Sequence, residues 1–158
     1  MAASVLDGKN ILAVDDEADV LAVLEEEISH VCTGCTIDKA TAYEEAANLL
    51  RTKAYDLVIL DIMGVRGFDL LQIAAGRNFK VAMLTAHALS PEALKKSHDL
   101  GANAYLPKDK LGEIVPFLED VLTYEPKVAW TRLLDKLEDY FNTRFQPDWK
   151  HKAGVGFY

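Results

Sequence analysis

No apolar stretch in these 158 residues approaches the roughly 20 that a helix needs to cross a bilayer. The opening segment, Met1 to Lys9, also lacks the charged start and long apolar core of a secretory signal. Both absences lead to the expectation of a chain that stays in the cytoplasm. Basic charge is scarce: 17 Lys and Arg stand against 25 Asp and Glu, a net of −8. Residues 125–158 hold six basic and five acidic side chains, so the acidic excess lies wholly in the first 124. Such a surface offers no footprint for a phosphate backbone, and nucleic acid is not an expected partner. Cysteine is nearly absent. Cys32 and Cys35 are the only two; the pair can be a redox motif or half a zinc site, but a four-ligand site would need two more good ligands nearby. Cys-Thr-Gly-Cys is therefore read as an ordinary small-residue turn between a helix and a strand.

What is present is the balance of a soluble globular domain, with half the residues hydrophobic and about a quarter charged. Short continuous apolar runs alternate with segments of helical spacing. Strands are expected at Lys9–Val14, Cys35–Ala40, Tyr55–Asp61, Val81–Thr85 and Ala102–Leu106. Helices are expected at Glu17–His30, from Thr41 to about Lys53, from Phe68 to about Ala75, after Ser90-Pro91 as far as Gly101, and over Leu111–Tyr124. Thr41 with Glu44 reads as a capping box, and Ser90-Pro91 as a cap followed by proline in the first turn. Five β-then-α units predict an α/β fold with a parallel sheet covered on both faces.

Glu125-Pro126 interrupts this pattern. Residues 1–124 are assigned to one domain, and 125–158 to a helical extension too short to be a domain of its own. From Val128 to Phe145 the residues Trp130, Leu133, Leu134, Leu137, Tyr140 and Phe141 recur at helical spacing. Pro147 ends the helix, and Trp149, Phe157 and Tyr158 show no period. The stripe must be covered, either by its own domain or by a partner or second copy through residues 127–145; both stay open.

Five polar residues stand at or just past the ends of the predicted strands: Asp15, Asp16, Asp61, Thr85 and Lys108. Ligands of open parallel sheets bind outside the carboxyl ends of the strands, so these five should converge. Three carboxylates can hold Mg²⁺, a hard cation that takes oxygen ligands. An aspartate there can act as a nucleophile toward phosphorus, with a hydroxyl and an ammonium to receive the phosphoryl oxygens. Taken singly, the acid pair could merely cap a helix, Thr85 end a strand and Lys108 face water. Their order along successive strand ends favours a shared site.

On Val14-Asp15-Asp16-Glu17, Asp56-Leu-Val-Ile-Leu-Asp61, Leu84-Thr85-Ala86 and Ala104-Tyr105-Leu-Pro-Lys108, the chain resembles the receiver domain of bacterial two-component response regulators over about residues 7–124. The resemblance implies a flavodoxin-like doubly wound sheet of strand order 2-1-3-4-5. It implies that Asp61 accepts phosphoryl from a sensor histidine kinase or phosphotransfer protein. It further implies that Asp15, Asp16, Asp61 and the Met63 backbone carbonyl bind Mg²⁺, and that Thr85 and Tyr105 move together as the switch. Output would pass by protein contact, with no enzymatic activity beyond Mg²⁺-assisted phosphorylation and dephosphorylation of the chain itself.

Two departures from the family pattern carry expectations. The loop Met63-Gly64-Val-Arg-Gly67 is short and lacks the usual proline, so it should be pliable, and the helix after it clipped. Pro107 precedes Lys108 instead of following it, so the Lys108–Asp109 bond should be trans, or cis only under strain. Asp109 is placed to compete for the lysine's charge. His87 reads as a solvent-facing loop residue near the mouth of the site, and His30 and His98 as surface residues. Two other readings compete with the switch: a receiver-like docking module that is never phosphorylated, and a phosphohydrolase with Asp61 as nucleophile. The latter usually needs a second acid at the position Met63 occupies.

Overall fold

A computed structural model describes residues 4–86, 89–145 and 148–154, the His151 side chain excepted. His87, Phe157 and Tyr158 lie outside them. Strands β1 (Asn10–Val14), β2 (Thr36–Ala40), β3 (Leu57–Asp61), β4 (Lys80–Thr85) and β5 (Ala104–Pro107) alternate with helices α1 (Ala18–Ser29), α2 (Tyr43–Thr52), α3 (Gly67–Gly76), α4 (Pro91–Asp99) and α5 (Ile114–Thr123). A 3₁₀ segment, Lys108–Glu113, joins β5 to α5, and α6 (Pro126–Arg144) and α7 (Trp149–Ala153) follow.

The sheet is parallel throughout, in the order β2-β1-β3-β4-β5. Burial explains that order. All five residues of β3 are buried, as a strand covered on both faces must be, while β2 at the edge buries only Ala40 fully. Val20, Leu21, Leu24 and Ile28 of α1, and Ile114, Phe117, Leu118 and Val121 of α5, face the core. The register sets Ile11 beside Leu57 and Asp61 beside Leu84, which brings the strand ends to one edge. No helix among the described residues is long and apolar enough to cross a membrane.

Ser90 caps α4 as expected, its hydroxyl accepting the Ala93 N–H at 3.0 Å. The capping box at Thr41 does not form. Helix α2 starts one residue later with Ala42 as its cap, and Glu45 rather than Glu44 reaches back to the Thr41 N–H. Nor is α3 clipped: its ten residues match α2 and α5. The economy falls in the loop, because Gly67 donates its N–H to the Ile62 carbonyl and starts the helix at once. A Cβ on Gly67 would lie 2.7 Å from Ile62 Cα and closer still to the Asp61 carbonyl oxygen. Cys32 and Cys35 are joined in a disulfide across the turn that leads from α1 to β2, a bond the reading of an ordinary turn did not include.

The apolar stripe of α6 is covered by the chain's own α5 and β5. Trp130, Leu133, Leu134, Leu137 and Phe141 are buried, each worth about 1.5–3 kcal/mol before the entropy of ordering. The Trp130 indole donates to the Ala102 carbonyl at 3.0 Å. Asp120 of α5 clamps the helix by ion pairs to Arg132 at 3.1 Å and Lys136 at 2.9 Å. Burial works to raise the Asp120 pKa, and the two cations reverse this and hold it below the usual carboxylate value. His98, expected on the surface, is half-buried with its ring 5.2 Å from that of Trp130.

Candidate functional site: an acidic cluster at the strand ends

Asp15 follows the last residue of β1, Asp61 ends β3, Thr85 ends β4 and Lys108 follows β5. Each is placed there because the apolar run before it is consumed by the sheet, leaving the first polar side chain at the carboxyl edge. All five predicted residues come to this edge. Lys108 Nζ lies 2.9 Å from Asp15 Oδ2, 3.2 Å from Asp61 Oδ1 and 3.4 Å from Glu17 Oε1. Asp15 is fully buried and Asp61 nearly so, whereas Asp16 is exposed.

These neighbours shift the site's proton affinities. Burial, then the adjacent charge of Asp15, raises the Asp61 pKa to about 6 against the opposing pull of Lys108. Burial likewise raises Asp15, with Lys108 again opposing. For Lys108 itself burial favours the neutral amine, but the two carboxylates outweigh it and hold the proton more firmly than on a free lysine. The site is thus a pair of buried carboxylates sharing one ammonium, with charge left to neutralise.

Asp15, Asp16 and Asp61 can each turn one ligand oxygen to within 4.8 Å of the others, the spacing of a single cation's ligands. Hard oxygen donors of this kind suit Mg²⁺. Burial and the charge of Asp15 together raise the Asp61 pKa, and a divalent cation would offset that charge, so the residues present fit that ion. Met63 stands two residues beyond Asp61 on the loop, its side chain largely exposed.

Thr85 and Tyr105 are both buried. The Tyr105 phenol accepts the Ser90 N–H at 3.1 Å. Burial pushes its pKa well above the ordinary tyrosine value, and the Thr85 side chain beside it acts to lower it.

Three features escaped the sequence reading. Glu17 adds a further carboxylate to Lys108; its place in the Asp-Asp-Glu run was the available signal. Gly64, at φ +83°, lies against Asp16: a Cβ there would fall 2.7 Å from the Asp16 Cγ and closer still to one of its oxygens. Glycine is the residue for such close approach, so the loop backbone is fitted against the acid pair. Asp109 does not compete for Lys108. Its carboxylate turns outward to accept the Tyr140 phenol at 2.9 Å and to pair with Arg144 at 3.5 Å. No cis peptide occurs among the described residues, so Lys108–Asp109 is trans.

The response regulator receiver domain model matches residues 11–118. The chain belongs to the response regulator receiver family. Its match to that model accounts for two-component signalling of the phosphorylation type as the role of the fold. The receiver is 35% identical over 102 residues to SilR of Salmonella typhimurium, named a probable transcriptional regulatory protein, covering 62% of this chain and 43% of that one. It is 34% identical over 103 residues to ycf27 of Guillardia theta, named a probable transcriptional regulator, covering 63% of this chain and 39% of that one. The chain thus spans less than half the length of the curated relatives it matches. Among solved structures, a response regulator from Thermotoga maritima superposes with a TM-score of 0.65 at 21% identity, covering 73% of this chain and 98% of that one. At that identity the likeness is one of fold.

Proposed function

We propose that this receiver is a Mg²⁺-dependent switch that takes phosphoryl from a phosphohistidine of a sensor kinase or phosphotransfer protein onto Asp61, works in the cytoplasm, and signals by protein contact. The observation that carries this reading is the convergence of Asp15, Asp16 and Asp61 with Lys108 at one sheet edge. A carboxylate oxygen of Asp61 attacks phosphorus. The P–N bond breaks, its electron pair returns to the donor imidazole, and that ring takes up a proton. Lys108, already 3.2 Å from Asp61, pairs with an oxygen of the new phosphoryl group, and the Thr85 hydroxyl donates to another. Asp15, Asp16, Asp61 and the Met63 carbonyl would hold Mg²⁺, which supplies neutralisation of the charge on the transferred oxygens.

The test is incubation with acetyl phosphate and Mg²⁺, read by intact mass. One phosphoryl adduct is expected on the native chain and none on Asp61→Asn. Persistent labelling of that variant defeats the assignment, and turnover of a general phosphomonoester would favour a phosphohydrolase instead.

A further inference from the structure

The tail formed by α6 and α7 divides into two parts with different attachments. The first part, through Leu137, is anchored to elements remote from the acidic cluster: Trp130 bonds the Ala102 carbonyl, and Arg132 and Lys136 grip Asp120. From Tyr140 onward the attachments change. The Phe141 ring packs 6.3 Å from that of Tyr105, and Tyr140 and Arg144 hold Asp109. Those partners adjoin the site directly, since Tyr105 lies close enough to Thr85 for that side chain to act on its phenol and Asp109 follows Lys108 in sequence.

The second part is also a small aromatic unit of its own. Phe141 stacks on Phe145 at 5.0 Å, and Trp149 meets both rings edge-on at 5.3 and 5.5 Å. The Trp149 indole donates to Asn142 at 2.8 Å. Helix α7 then packs on α4, which buries only Leu94 and Ser97 fully. So the last turns of α6, with α7, rest on Tyr105, Asp109 and α4 together.

The geometry points to these last turns, Tyr140–Phe145 with α7, as this receiver's own output element, seated on Tyr105 and Asp109 and loosened from that seat when Asp61 carries phosphoryl. The inference rests on the phosphoacceptor reading above. When the Thr85 hydroxyl turns to a phosphoryl oxygen, the buried Tyr105 phenol loses a polar neighbour, and its ring repositions against Phe141. When Lys108 leaves Asp15 and Glu17 for the phosphoryl group, the backbone carrying Asp109 shifts beneath Tyr140 and Arg144. Both contacts that seat the second part are disturbed by one event, while the anchors of the first part are not. Coupling of this kind is reciprocal, so a loosened tail must also favour the phosphorylated state.

Hydrogen exchange on the full chain tests this, with intact mass read in parallel before and after acetyl phosphate and Mg²⁺. Phosphorylation is expected to speed amide exchange in Tyr140–Arg144 and Trp149–Ala153 by about 5-fold or more, and to leave 126–137 unchanged. Tyr140→Phe, which keeps the ring and loses the bond to Asp109, should show part of that acceleration without the phosphodonor. It should also bind beryllofluoride, a phosphoryl mimic, more tightly than the native chain in the presence of Mg²⁺. A phosphoryl adduct with unchanged exchange in both segments overturns this inference alone. No adduct on the native chain overturns it together with the phosphoacceptor reading. Equal acceleration along the whole of 126–153 also overturns it, since the tail would then act as one undivided layer.

Discussion

Asp109 turns its carboxylate away from Lys108, its neighbour in sequence, and accepts the Tyr140 phenol at 2.9 Å. The consequence runs both ways. Lys108 keeps its ammonium for Asp15, Asp61 and Glu17, and the tail gains a polar tie to the segment that carries the site's cation.

Asp109→Ala should therefore loosen the tail without emptying the site. Loss of one solvent-exposed hydrogen bond and a longer ion pair to Arg144 predicts about 0.5–1.5 kcal/mol of destabilisation in urea unfolding. Phosphorylation of Asp61 should persist. Failure of the variant to accept phosphoryl at all would mean that Asp109 serves the site and not the tail.

Gly64→Ala tests how closely the loop is fitted to the acid pair. The φ of +83° strains any side chain, and the added Cβ would displace the Asp16 carboxylate. A fall in Mg²⁺ affinity of about 10–100-fold is expected, the usual cost of disturbing a group that orients a metal ligand. Calorimetric Mg²⁺ titration of native and variant chains measures it, and an unchanged affinity would remove Asp16 from the ligand set.

How much of this was legible beforehand follows from what the signals report. The five strand-end residues could be placed because each ends an apolar run, and a doubly wound sheet leaves such ends at one edge. The stripe of α6 was equally plain from Trp130 to Phe141, but periodicity says only that a face is covered. Its cover is α5 and β5, and that depends on Asp120 and the Ala102 carbonyl, which no pattern marks. Close approaches were invisible for the same reason: Gly64 and Gly67 look alike as loop glycines, yet one admits Asp16 and the other the backbone of Asp61. The box at Thr41 failed because Glu44 and Glu45 stand side by side, and the geometry of the entering chain chose the second.

The pH dependence of stability isolates the burden carried by Asp61. Its pKa is about 6 in the folded chain and near the ordinary carboxylate value of 3.8 when unfolded. Between those values the folded state binds the proton more tightly, so this group's contribution to stability falls as pH rises from about 4 to 6 and stays low above that. Asp61→Asn keeps the shape and removes the charge. It should therefore unfold at a higher temperature than the native chain at pH 8, with the advantage shrinking toward pH 4. A shift from 3.8 to about 6 converts to a ceiling of about 3 kcal/mol. Saturating Mg²⁺ should narrow the gap at pH 8 by stabilising the native chain more than the variant, because the cation compensates the buried charge of Asp61 and its repulsion from Asp15. Thermal unfolding at both pH values, with Mg²⁺ or with a chelator, reads all four conditions. A difference between the two chains that stays constant from pH 4 to 8 would show that Asp61 is ionised in the fold without cost.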